Sequence, residues 1–271
     1  MDPLIITAAL TGNGATKEIN PYVPITVEEI AEDACRCYEE GASVVHIHVR
    51  DEQGKPSQSP ELYRKVVERI REKGCPIICQ LSLAGKPETD WSMADVLKLN
   101  PQTVGLGAGS INRLDRLNCF EPKFIRYMAE EITRRNIFPE MEIFDTAMIF
   151  NVIRLQEEGV LPKKLKFQFG LNVPGMLPGN IETLVFMKNC LPKDAIWGVA
   201  AGGDQHYNLT AITIALGGHA RGGIEDCLTD PDGNLSSNPG QIRWISQTAK
   251  MLGRKVATVE EAKAILGIRN P

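Results

Sequence analysis

Two of the four histidines in this 271-residue chain, His46 and His48, stand two positions apart in the run Val44-Val45-His46-Ile47-His48-Val49-Arg50-Asp51. Apolar and β-branched neighbours mark the run as a buried strand, and side chains two apart on a strand point to the same face. Two imidazoles would then project together from a rigid support. Neutral imidazole is a common metal ligand, and a buried ring nitrogen needs a partner. A single ion satisfies both rings at once; two core histidines bonded to backbone carbonyls are the alternative. A tight site needs at least one more ligand. Two histidines and a carboxylate, with one position left open, form a familiar catalytic zinc arrangement. Glu225 and Glu142 are the candidate third ligands. Glu225 follows His219-Ala220-Arg221-Gly222-Gly223-Ile224, where adjacent glycines permit close approach of backbone or substrate.

Strand-like and helix-like segments alternate along the whole chain. Strands are expected at Leu4–Leu10, Val44–Val49, Pro76–Leu83, Thr103–Leu106, Met141–Phe144, Lys166–Leu171, Ala195–Ala200 and His219–Ile224. Helices are expected from Thr26 to Gly41, from Pro60, from Pro122 to about Asn136, and over 147–158, 181–189, 209–216 and 239–252. Thr26 caps its helix, with Glu29 three residues on as a capping-box partner. Eight strand–helix units in 271 residues predict a (β/α)₈ TIM barrel as a single domain, with a short terminal helix at about 257–267. A doubly wound sheet is the alternative, but Thr11-Gly12-Asn13-Gly14 is not the Gly-rich turn such a sheet would want, and no phosphate-binding loop appears.

In such a barrel the active site forms at the C-terminal strand ends. The polar residues falling there are Thr11 and Asn13; His46, His48, Arg50 and Asp51; Gln80 and Ser82; Glu140, Glu142 and Asp145; Gln168 and Asn172; Asp204, Gln205 and His206; and Arg221, Glu225 and Asp226. Several have structural readings. Asp145 fits a helix cap. Glu142 can pair with Arg50 or Arg221. His206 suits a loop or helix start, and His219, early in its strand, suits a structural role.

The composition, 43% hydrophobic and 24% charged with net charge −4, is that of a soluble globular protein. No basic stripe invites nucleic acid, and no apolar run reaches membrane-spanning length. The start lacks the features of a secretory signal. Seven dispersed cysteines in no C-x-x-C spacing read as reduced, mostly buried thiols of a cytoplasmic protein, with Cys227 beside Asp226 the one to watch for reactivity.

Taken together, Ile6-Thr7-Ala8-Ala9-Leu10-Thr11-Gly12, the run from Pro24 to Ala31, the stretch Gly41 to Asp51, Pro139-Glu140-Met141-Glu142, Val173-Pro174-Gly175 and the stretch Gly217 to Asp226 resemble the β-keto acid cleavage enzyme family over nearly the whole chain. The resemblance implies a zinc-bearing (β/α)₈ barrel. It implies a reaction in which a β-keto acid and acetyl-CoA give acetoacetate and a new CoA thioester. It further implies zinc on His46, His48 and Glu225, Asp226 as acid/base with Arg221 beside it, Ser82 and Gly85 near the substrate carboxylate, Glu142 in the inner shell, and a homo-oligomer, a tetramer. An apolar, exposed C-terminal helix would suit such assembly.

Some positions depart from the family's aminohexanoate-cleaving members. Gly14 stands where they carry a Glu, Gly105 and Gly107 replace a Thr and an Asn, Asp204 replaces an Arg, and Ser82-Leu83-Ala84-Gly85 replaces Ser-Thr-Gly-Gly. Retained cleavage machinery with a different tail pocket is expected. Gly105 and Gly107 suggest a larger, less polar pocket, whereas Asp204 suggests a cationic tail. A metal-dependent hydrolase on the same barrel and a non-catalytic metabolite-binding barrel are the competing readings.

Overall fold

The computed structural model describes residues 1–83, 91–114 and 117–268. Among them, eight parallel strands close a barrel: β1 (Ile6–Ala9), β2 (Val44–Ile47), β3 (Ile78–Ser82), β4 (Thr103–Gly107), β5 (Phe138–Ile143), β6 (Lys166–Leu171), β7 (Ile196–Ala201) and β8 (His219–Gly222). They follow one another around the barrel in chain order, and β8 pairs with β1 to complete the ring. Helices α1 (Val27–Glu39) and α2 (Pro60–Glu72) follow β1 and β2. A 3₁₀ helix over Ser92–Leu99 takes the helical place after β3, an element the sequence reading did not include. Then come α3 (Pro122–Arg134), α4 (Thr146–Glu157), α5 (Ile181–Asn189), α6 (His206–Ala215) and α7 (Asn238–Met251), each after its strand, and a terminal α8 (Val259–Leu266).

Local chemistry accounts for the helix starts. Thr26 and Glu29 form the expected capping box on α1, Asp145 caps α4 through Ala147 N–H, and a second capping box of Thr258 and Glu261 begins α8. Period-two alternation sends Ile6, Ala8, Val45, Ile47, Phe167 and Phe169 outward against the helices, where they form the main apolar core. The inward set is largely polar. At mid-barrel Lys166 Nζ meets Glu140 Oε2 at 2.8 Å, with both side chains 3% exposed. That ion pair is buried, so each partner depends on the other.

A second core closes the N-terminal end. Ile5, Val44, Ile78 and Phe138, at the strand starts, pack with Val259, Ala262 and Leu266 of α8. Leu4 N–H donates to Lys255 O at 2.7 Å and Ala257 N–H to Leu4 O at 2.8 Å, which ties the terminal segment to the barrel floor. The apolar face of the C-terminal helix is therefore spent on the barrel, not presented to solvent as the sequence had suggested. Among the described residues no helix is long and apolar enough to cross a membrane.

Two strand boundaries differ from expectation where it matters. β2 ends at Ile47, so His48 lies just beyond it. Val49–Arg50 then turns away to pair antiparallel with Pro56–Ser57. β8 ends at Gly222, because Gly223, at φ +149°, turns the chain so tightly that a Cβ would lie 2.0 Å from Ala9 O.

Removing the α8 plug contact should loosen the whole barrel. Leu266→Ala is expected to cost about 2–4 kcal/mol in urea unfolding, the usual penalty for a buried leucine truncated in a packed core.

Candidate metal centre

His46 is the next-to-last residue of β2, fully buried, and β2 is paired on both sides by β1 and β3. Its register partner Gln80 is level with it on β3, and His46 Nδ1–H donates to Gln80 Oε1 at 2.6 Å. His48 Nδ1–H donates to Asn13 Oδ1 at 3.0 Å, from the loop after β1. With an oxygen acceptor behind each ring, the proton of each neutral imidazole sits on Nδ1 and the bare Nε2 faces inward. The two Nε2 atoms are 3.2 Å apart. Glu225 Oε1, from the turn after β8, lies 3.7 Å from His46 Nε2 and 3.4 Å from His48 Nε2.

This triangle is electrostatically unfinished. Two nitrogen lone pairs and a carboxylate oxygen converge on one point, which is repulsive without a cation among them. Burial pushes His46 down to about 4, Glu225 only partly offsetting it, so the ring is neutral and ready to donate a lone pair. Burial opposes the charge of Glu225, yet the Arg221 guanidinium beside it holds its carboxyl well below the usual range. Among the described residues Glu225 Oε2 has no hydrogen-bond partner. Ligand bonds of about 2.0–2.1 Å at tetrahedral angles separate donor atoms by roughly 3.3–3.4 Å, close to the observed triangle. The donor set therefore fits a four-coordinate divalent ion with one position open. Among the described residues, these three are the group of histidine, cysteine and acidic side chains close enough to share an ion.

Arg221 fastens the carboxylates. Its Nη2 donates to Glu225 Oε1 at 2.8 Å and to Asp226 Oδ1 at 2.9 Å, and its Nε donates to Asp226 Oδ2 at 2.7 Å. Arg221 is 5% exposed, so these charge-assisted bonds lie mostly out of water. Half-buried Glu142 stands in the same electrostatic neighbourhood. Burial pushes its carboxyl up to about 7; Arg221 opposes the rise, while Glu140 and Glu225 add to it. Such a group can hold or release a proton near neutral pH.

Small residues make this crowding possible. Gly12 adopts φ +57°, and a Cβ there would lie 2.6 Å from Glu225 Cγ. A Cβ on Gly105 would lie 2.7 Å from Glu142 Oε1, and one on Gly107 would lie 3.2 Å from the Phe120 ring. The space at Gly105 and Gly107 is thus filled by Glu142 and Phe120, so these glycines do not enlarge a substrate pocket as the sequence had suggested. Around the Cβ position of Gly14, by contrast, nothing lies within 4 Å.

The remaining sequence candidates divide clearly. Ser82, at the end of β3, is buried and inward-facing, and Gly85 lies outside the described residues. Arg50 turns from the site to the carbonyls of Gly12 at 2.8 Å, Ala15 at 3.0 Å and Gly54 at 3.1 Å, and Asp51 accepts backbone N–H bonds within its own turn. His219 Nδ1 accepts the Ile5 N–H, and His206 Nδ1–H donates to Ala201 O, so neither joins the triad. Cys227 is buried, its Sγ turned to Thr229 O. Asp204 accepts from Asn172 Nδ2 at 2.9 Å and lines a neighbouring cleft of about 700 Å³ with Asn180, Glu182 and Gln205. Sequence reasoning named Gln80 and Asn13 as polar strand-end residues but gave them no partner. Gly12 belongs to the Ile6–Gly12 run and the Thr11-Gly12-Asn13-Gly14 turn, but nothing in either marks its close approach to Glu225.

Fold and site together define a (β/α)₈ enzyme with a candidate metal triad at the C-terminal mouth. A model of the beta-keto acid cleavage enzyme family matches residues 3–268. This chain belongs to that family. The 3-keto-5-aminohexanoate cleavage enzyme of Fusobacterium nucleatum is 38% identical over 272 residues, covering 99% of each chain. The 3-oxoadipate:acetyl-CoA acetyltransferase of Cupriavidus necator is 34% identical over 270 residues, covering 98% of this chain and 95% of that one. A solved ternary complex of ObcA with a C4-CoA adduct and oxalate shares the fold at TM-score 0.74 and 17% identity, over 91% of this chain and 68% of that one.

Two measurements follow from the geometry. Gly12→Ala, which drives a methyl into Glu225, and Gln80→Ala, which frees the His46 ring, should each weaken metal affinity about 10–100-fold in a chelator competition. In metal-free protein, the raised Glu142 favours the folded state below its ordinary value of 4.5, and this contribution is lost as pH rises through about 7. Glu142→Gln should therefore raise Tm at pH 8 and leave it nearly unchanged at pH 4.5.

Proposed function

We propose that this chain is a zinc-dependent β-keto acid cleavage enzyme that uses acetyl-CoA as co-substrate. The overall change is R–CO–CH₂–COO⁻ plus acetyl-CoA giving R–CO–CoA plus acetoacetate. The observation that carries it is the His46–His48–Glu225 triangle, whose two ring nitrogens and carboxylate oxygen lie 3.2–3.7 Å apart at the mouth of a barrel of this family. Imidazole and carboxylate donors in this number suit zinc, and magnesium or calcium would call for an oxygen-rich set. The names of the relatives support the reaction class: one acts on 3-keto-5-aminohexanoate and another transfers acetyl from acetyl-CoA in connection with 3-oxoadipate.

Zinc held there would act as a Lewis acid, polarising the keto carbonyl. The protein's own groups then have defined tasks. Arg221 lies against Glu225 Oε1 with its charge directed at the same mouth, where it stabilises negative charge that develops as the carbon–carbon bond breaks. Asp226 grips Arg221 with both oxygens, which fixes the guanidinium; each oxygen keeps a further lone pair, so the carboxylate can accept and return a proton. Glu142, pushed up to about 7 by burial against the opposing charge of Arg221, is a second proton-holding group. Ser82, buried at the end of β3, is the hydroxyl assigned to the substrate carboxylate, with Gly85 as its neighbour in sequence. Gly105 and Gly107 shape the wall by making room for Glu142 and Phe120, and Gly14 leaves open space at the rim. The hydrolase and binding-barrel readings have less support, since the family match extends over nearly the whole chain.

Purified protein is expected to carry about one zinc per chain and to form acetoacetate from a panel of β-keto acids only when acetyl-CoA is present. Asp226→Asn, compared with wild type after both are loaded to one zinc per chain, should lower kcat about 10²–10⁴-fold, the usual contribution of a positioned acid/base. Acetoacetate release without acetyl-CoA, or cleavage of amides and esters in its place, would refute the reading.

A further inference from the structure

Gln168 is buried on β6, 3% exposed, and faces the barrel interior between the outward-facing Phe167 and Phe169. Among the described residues neither its Oε1 nor its Nε2 has a hydrogen-bond partner. Its sister carboxamide Gln80 is engaged by His46, and one layer below Lys166 Nζ is paired with Glu140 Oε2, while Glu140 Oε1 makes no hydrogen bond among the described residues. Gln168 thus has no structural task in the network that surrounds it, although an unpaired buried amide is costly. Its register places it level with Glu142 on β5 and with Gly198 on β7. Gly198 supplies room: a Cβ there would lie 3.1 Å from Gln168 Oε1 and 2.7 Å from the backbone of His219. In the eight-membered ring, β6 is four strands from β2 in either direction, so Gln168 stands across the lumen from His46.

We propose that Gln168 is a specificity-determining residue whose carboxamide hydrogen-bonds a polar group on the tail of the β-keto acid. The inference rests on the proposed function. With the keto group held at the triad on the β1, β2 and β8 side, the substituent beyond the keto carbon extends toward the opposite wall. The amide there is uncharged and both donates and accepts. It therefore selects a tail bearing a hydroxyl, carbonyl or amine over a plain alkyl tail of the same length. A site built to satisfy a buried polar group discriminates strongly against a ligand that leaves it unpaired.

The test compares 3-oxohexanoate with 6-hydroxy-3-oxohexanoate in zinc-loaded wild type and in Gln168→Met, which keeps the volume and removes the hydrogen bonds. Acetoacetate formation gives kcat/KM, and the melting shift produced by each keto acid without acetyl-CoA reads the same preference independently of turnover. Wild type is expected to favour the hydroxylated acid about tenfold, the value of roughly one hydrogen bond. Gln168→Met should lose this preference through KM, with an unchanged or higher Tm because an unsatisfied amide has been removed. A preference unaltered by the substitution, or a lower Tm with KM unchanged, would overturn the assignment and mark Gln168 as structural. If neither acid shifts the melting point or yields acetoacetate in wild type, the functional reading fails first and Gln168's role with it.

Discussion

Two bare imidazole nitrogens 3.2 Å apart, with a carboxylate oxygen within 3.7 Å of both, form a contact that repels itself unless a cation stands between the groups. Much of the surrounding architecture holds this arrangement in place. Gln80 and Asn13 fix which nitrogen of each ring is bare. Arg221 keeps Glu225 ionised and turned inward, and Asp226 keeps Arg221 from rotating away. Gly12 gives up its side chain so that Glu225 can approach. Donors that are immobilised before the ion arrives lose little freedom on binding it, which is why supporting residues weigh nearly as much as ligands.

The barrel supplies what this arrangement needs, which is rigidity from several directions. The ligands come from β2, the residue just after it and the turn after β8; the residues behind them come from β3 and the loop after β1. These elements are adjacent around the ring because β1 lies between β8 and β2. Four chain segments separated by up to about 210 residues thus meet at one edge of the mouth without any long loop having to be ordered. Below the site, the Glu140–Lys166 pair balances charge in the lumen, and α8 seals the floor with an apolar layer. The mouth is left as the end at which the inward polar groups gather.

Much of this was legible in the sequence because it depends on local patterns. The β/α alternation, the capping box at Thr26 and the paired histidines follow from period and propensity, and the family resemblance tied Glu225 and Arg221 to the same site. What was not legible depends on close packing between distant segments. Nothing local reveals that the chain leaves β2 after Ile47, since the hairpin with Pro56–Ser57 decides it. The glycines at 105 and 107 look like open space in a sequence, but Glu142 and Phe120 fill it from other elements. The apolar face of α8 reads as a surface for association until the barrel floor is seen to cover it. Arg50, next to the histidines in sequence, is drawn to three backbone carbonyls and takes no part in the centre.

X-ray absorption at the metal edge of the loaded protein tests the central claim most directly. The account predicts two imidazole nitrogens and additional oxygen at about 2.0–2.1 Å, with no sulfur, and loss of one imidazole in His48→Ala. Sulfur ligation, or a spectrum that His48→Ala leaves unchanged, would contradict it.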